Sequence, residues 1–149
     1  DGTNWTAGGA MPQRGDYMDG VGVTTAAVIF GAINSPSPAN NTSLDYDGSA
    51  FSSNNNMNNN HGGQHLASGT VTAAIVAGGG TPYAAAAESE IYDGTSFSTN
   101  ATLAQVGQRG GKGSTTANAI GCGGYGPGYL TATEEYNAAA PGTKTVTTS

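Results

Sequence analysis

The chain has 149 residues with four Lys or Arg against ten Asp or Glu, a net charge of −6. So few cations cannot neutralise a run of phosphates, which argues against nucleic acid and against anionic membranes as partners. Twenty-five Gly, abundant Asn, Ser and Thr, and only 9% charged residues disfavour long helices and favour short strands and turns.

From the start of the chain, Asp1-Gly2-Thr3-Asn4-Trp5 opens a pattern that returns as Asp47-Gly48-Ser49-Ala50-Phe51 and as Asp93-Gly94-Thr95-Ser96-Phe97, at an interval of 46 residues each time. Such a fixed period is the mark of a repeat architecture. Met11, Met57 and Leu103 share the next offset. A Gly-rich stretch follows in each copy (Gly15 to Gly22, Gly62 to Gly69, Gly110 to Ser114) and predicts one strand. Then come the apolar runs Val23 to Phe30, Val71 to Ala77 and Thr116 to Cys122, which read as strands buried on both faces. Segments ending at Tyr46, Tyr92 and Tyr136 alternate apolar and polar residues, as half-buried strands do. After Tyr46 and Tyr92, Asp-Gly predicts a tight hairpin into the aromatic residue.

The expected fold is therefore all-β, with three repeats of about four antiparallel strands (residues 1–46, 47–92 and 93–137) and a tail at 138–149. The chain opens without Met, inside a repeat. Its first motif lacks a preceding strand, and Glu134-Glu135-Tyr136 lacks the Asp-Gly-aromatic continuation. A processed chain or a piece of a longer one is expected, part of a larger assembly or completed by further copies.

These residues resemble a kelch repeat, in which a strand ends in a Gly-Gly doublet before a Tyr and, a few residues on, a Trp. Here Gly78-Gly79-Gly80 precedes Tyr92 and Phe97, and Gly123-Gly124 precedes Tyr136. The weaker Gly31-Ala32 precedes Tyr46 and Phe51. Met11-Pro12-Gln13-Arg14-Gly15 is similar to the family's Pro-x-Arg segment, which survives partly as Gln108-Arg109-Gly110 and is lost at Asn58-Asn59-Asn60. The resemblance implies kelch-like β-propeller blades. Glu134-Glu135-Tyr136 and Asp93-Gly94-Thr95-Ser96-Phe97 are also similar to repeats in structural proteins of marine bacteriophages. Trp5, Phe51, Phe97, Tyr46, Tyr92 and Tyr136 are then expected to pack between blades, the Tyr hydroxyls finding backbone partners.

Candidate chemistry is sparse. His61 and His65 stand i, i+4, but no HExxH pattern or third ligand accompanies them, so they are read as part of a solvated Gly-rich strand and no metal is expected. Cys122 is read as a small buried hydrophobe, its thiol without a basic neighbour. Kelch-type copper oxidases need several His and a Tyr–Cys pair, which this chain lacks. Asp45, Asp47, Glu88, Glu90, Asp93, Glu134 and Glu135 recur with the repeat, whereas a catalytic pair would be unique. Hairpin capping and solvation are expected of them, as in the sialidase Asp-box turns that the motif resembles. Sequons at Asn4, Asn40, Asn41 and Asn100 matter only in a eukaryotic secretory source.

The repeats differ at the connections Asn34 to Asn41, Thr81 to Ala87 and Tyr125 to Tyr129. Loops on a rigid scaffold carry binding, and Tyr83, Tyr125 and Tyr129 lie there outside the repeat pattern. They are the candidate binding residues, for a surface glycan. The expectation is a non-enzymatic, cofactor-free structural or adhesive protein. It would serve as a bacteriophage virion component (tail fibre, spike or capsid decoration) at the virion surface or outside cells, with other virion subunits or copies of itself as partners. The alternative is a secreted bacterial carbohydrate-binding or carbohydrate-active propeller.

Overall fold

A computed structural model describes residues 3–33, 39–81 and 84–138. These contain strands and no helix, and every strand pairing is antiparallel. The first sheet runs β1 (Asp19–Val23), β2 (Ala26–Ile33), β3 (Ala39–Tyr46), β4 (Phe51–Ser53). The second consists of β5 (Leu66–Thr70), β6 (Ala73–Ala77), β9 (Ser89–Tyr92) and β10 (Phe97–Thr99), in that order across the sheet. Between β6 and β9 stands a small hairpin, β7 (Gly80–Thr81) and β8 (Ala84–Ala85). The third sheet has three strands, β11 (Gln108–Gly110), β12 (Asn118–Tyr125) and β13 (Thr133–Asn137). Each outer strand, β4 or β10, comes from the Asp-Gly motif that opens the next sequence repeat.

Two expected boundaries move. The apolar runs begin inside turns, because Val23 already opposes Ala26 and Thr70 opposes Ala73. Thr24-Thr25, Val71-Thr72 and Thr116-Ala117 are the turn residues. The Asp-Gly hairpin is also longer than expected. Tyr46 opposes Phe51 and Tyr92 opposes Phe97, so four residues make each connection. The Asp47 carboxylate accepts the Ser49 and Ala50 N–H groups, and Asp93 does the same for Thr95 and Ser96. Those bonds hold both carboxyls below their ordinary range, the Ala50 and Ser96 N–H groups contributing most. This side-chain-to-backbone capping favours the turn over a two-residue hairpin.

Register makes the sheets comparable residue by residue. Val28, Ile75 and Ile120 each oppose the residue before the repeat tyrosine, and Phe30, Ala77 and Cys122 each oppose the residue three before it. Phe30 and Val28 meet Ala67, Ala74, Val76 and Tyr92 in the core between the first and second sheets. Ile75 and Ala77 point the other way and meet Leu66 and Ala119 between the second and third. The second sheet is thus buried on both faces, as its Val/Ile/Ala run predicts. The third is not. Ala119 and Gly121 are buried while Ile120 and Cys122 are exposed, because no sheet covers that face among the described residues. Cys122 therefore departs from its expected burial.

The inner strands converge on Asp19. Its carboxylate accepts the Ala67 N–H of β5 at 3.0 Å and the Lys112 ammonium at 2.9 Å. One side chain of the first sheet so touches the second sheet and the connection between β11 and β12. The sheets do not close into a ring among the described residues.

Candidate functional site

Three of the polar residues singled out in the sequence, Glu90, His61 and Glu134, are used in joints between sheets. Glu90, on β9, is fully buried rather than solvated. Its Oε2 accepts the Asn58 N–H at 2.8 Å and its Oε1 accepts the Asn59 N–H at 2.7 Å, while both Asn side chains donate to it as well. His61 Nε2 lies 3.2 Å from Oε1, and His61 Nδ1 donates to the Gly78 carbonyl at 2.9 Å. Burial pushes the Glu90 carboxyl up, but the bonds from His61, Asn58 and Asn59 outweigh it and bring it down to about 2. The same joint recurs one sheet on, where Glu134 accepts the Ala104 and Gln105 N–H groups.

A second joint links Tyr92 and Tyr136 to the residue that follows the outer strand of the preceding sheet. Asn54 donates to the Tyr92 hydroxyl at 2.6 Å, and the Tyr136 hydroxyl donates to Asn100 at 3.3 Å. The partners are thus Asn side chains, not the backbone groups expected. Asn54 also donates to Asp45. Ile91 holds the corresponding place in the second sheet, and the Asn100 amide nitrogen is accordingly buried without a partner. Tyr46 and Tyr92 each stack on the aromatic of their own outer strand, Tyr46 on Phe51 at 4.6 Å and Tyr92 on Phe97 at 4.7 Å. Trp5 was expected to pack likewise, yet it stands wholly in solvent.

His61 and His65 do not lie in a solvated strand. Both are buried in the irregular segment before β5, which is wedged between the glycine ends of β2 and β6. Gly31, at φ +59°, would drive a Cβ into the His61 carbonyl, and a Cβ on Gly79 would come within 2.7 Å of the Gly62 carbonyl. Here the doublet glycines permit close backbone approach. The two rings meet edge-on at 6.3 Å. No group of three His, Cys, Asp or Glu suited to a metal ion occurs among the described residues.

Neither ring nitrogen of His65 has a hydrogen-bond partner. Burial, and then the charge of His61, lower its pKa from 6.5 to about 4. The unfolded chain therefore binds this proton first as pH falls, so the stability that neutral His65 contributes is intact above pH 6.5 and is lost by pH 4. Glu90, also depressed, loses its contribution lower, between 4.5 and about 2. For His65 a shift of this size corresponds to about 3 kcal/mol. Urea titrations of the wild type from pH 7 to 4 should show that loss, whereas His65→Leu, which removes the unpaired ring, should give a nearly flat profile over the window.

The exposed candidate site is the connection after β12. Tyr125 leaves the strand and forms an isolated bridge to Tyr129 across Gly126-Pro127-Gly128. Backbone bonds fix the turn: Gly126 N–H donates to Gly128 O at 2.9 Å and Leu130 N–H to Gly124 O at 3.0 Å. The two rings meet edge-on, 5.5 Å apart. Tyr125 is 46% and Tyr129 92% exposed, and Val106 adjoins them, its carbonyl 2.6 Å from where a Cβ on Gly126 would lie. The structure thus brings together two of the three candidate binding residues. Tyr83 lies outside the described residues. The Glu90–His61 joint escaped the sequence reading, and its one available signal was the pairing of Glu90 with the Asn run earlier in the same repeat.

No family model and no curated protein matches this chain. Among solved structures it is similar to that titled "Structure of YjhT", with a TM-score of 0.70 and 13% identity over 87% of this chain. The chain spans 45% of that structure's length. At this identity the likeness concerns the fold alone.

Proposed function

We propose that the three sheets are kelch-like propeller blades of a non-enzymatic structural or adhesive protein, a bacteriophage virion component exposed at the particle surface. The observation that carries this reading is the Tyr125–Tyr129 pair, two aromatic rings held on a hydrogen-bonded turn at the end of a repeated scaffold. An open tyrosine face suits the apolar face of a sugar ring, and its hydroxyl suits the sugar's polar edge. The repeat-borne carboxylates support a scaffold role, since Glu90, Glu134, Asp47 and Asp93 are engaged in backbone contacts.

The test is a glycan array probed with the purified chain and with Tyr129→Ala. Binding to a surface polysaccharide is expected, weakened at least ~10-fold by the substitution, while stability stays within ~0.5 kcal/mol because the side chain is exposed. Wild-type and Tyr129→Ala chains binding equally well would refute the site. Turnover of a sugar polymer would instead favour a secreted bacterial carbohydrate-active propeller.

A further inference from the structure

We propose that the outer edge of β13 is a docking site for residues Trp5-Thr6-Ala7 of a second copy of this chain. The inference rests on the blade reading above. In the first two sheets the fourth strand is Phe51-Ser52-Ser53 or Phe97-Ser98-Thr99, paired so that the aromatic opposes the tyrosine. Among the described residues β13 has no fourth strand, and Tyr136 has no aromatic of this kind stacked on it. Trp5-Thr6-Ala7 is the matching motif without a sheet, and its indole is fully exposed. Carrying the register over sets Trp5 against Tyr136, Thr6 against Glu135 and Ala7 against Glu134.

The placement is directional. Asn54 and Asn55, just after β4, reach forward to Tyr92 and to the Thr95 carbonyl of the second sheet. Gly8 and Gly9, at the same repeat offset after Trp5, lie against the Tyr46 hydroxyl and the Ser49 backbone of the first sheet. Trp5-Thr6-Ala7 therefore belongs to a sheet that precedes the first one. A second copy's third sheet in that position would also cover two open faces. Ile120 and Cys122 are exposed on one, and Ala27 and Ile29 are only half-buried on the other, whereas the equivalent Ala74 and Val76 are fully buried in the middle sheet. Two copies related by a twofold axis would make this contact twice and leave no open end. The similar solved structure, of which one chain spans 45%, is about the size such a pair would have. An unpaired strand edge is a ready template for such addition.

The decisive experiment combines sedimentation with a register-specific cross-link. Analytical ultracentrifugation of the full chain should give a species of twice 14.7 kDa. Trp5→Ala should weaken that association at least ~10-fold, as loss of a buried aromatic anchor does. In a Cys122→Ser background, Thr6→Cys with Glu135→Cys should form a disulfide between chains on mild oxidation. A monomer throughout, or a disulfide formed within one chain, would overturn the second copy as occupant. Oligomers growing without limit would overturn the closed pair. Either result leaves glycan binding by Tyr129 standing or falling on its own array test.

Discussion

Phe30→Ala is expected to destabilise the chain by about 3–5 kcal/mol, the range for emptying an aromatic site in a core that cannot collapse around it. Phe30 is fully buried and meets Tyr92 at 6.0 Å and Phe97 at 5.9 Å, edge-on to both rings. It joins the first sheet to the stacked pair of the second, so its loss removes packing on both sides of the interface. Ala77 holds the same register one sheet on, and a cavity of about 180 Å³ lies beside it, lined by Leu66, Leu103, Ala119 and Tyr136. The structure already tolerates a small residue there, so Ala77→Gly should cost far less than Phe30→Ala. Urea midpoints of the two variants check the ranking. Equal effects would mean that the first interface is not organised around Phe30.

Glu90→Ala is expected to cost a similar amount, about 3–5 kcal/mol, for a different reason. Removing one member of a buried hydrogen-bonded pair leaves the others uncompensated, and that penalty exceeds the worth of the pair. Here His61 Nε2 and the Asn58 and Asn59 N–H groups would lose their acceptor in a site closed to water. Glu134→Ala is the internal control. Glu134 is only half-buried and meets two backbone N–H groups, so about 1–2 kcal/mol is expected. If both substitutions cost the same, the His61 contact and the Asn58 and Asn59 side-chain bonds add nothing to the two backbone bonds.

The repeat was legible because its signals are local. Asp47-Gly48 and Asp93-Gly94 announce turns, and the Val71 to Ala77 run announces a strand with two buried faces, realised over Ala73–Ala77. What escaped was decided by neighbours distant in sequence. Nothing local to Ile120 and Cys122 says that their face lacks a covering sheet, so the same apolar pattern reads as buried in all three copies. Glu90 and Glu134 look like surface carboxylates until the loop after the preceding sheet's outer strand is seen closing over them. The break in that pattern also makes sense only in pairs. In the first copy the glutamate position is Leu44, and the loop that would donate to it begins with Pro12, which has no N–H to give. Of the candidate site, Tyr125 and Tyr129 stood out because they interrupt the repeat, whereas the edge-on packing of their rings depends on a turn that the sequence only hints at through Gly126-Pro127-Gly128.

Amide hydrogen exchange of the full chain, with and without the best glycan from the array, tests the central claim most directly, since it locates the binding surface on the scaffold without substitution. Protection centred on residues 123–132, with the strands of all three sheets unchanged, is the predicted result. Protection centred on the inner strands around Asp19 and Lys112, with 123–132 unaffected, would contradict it.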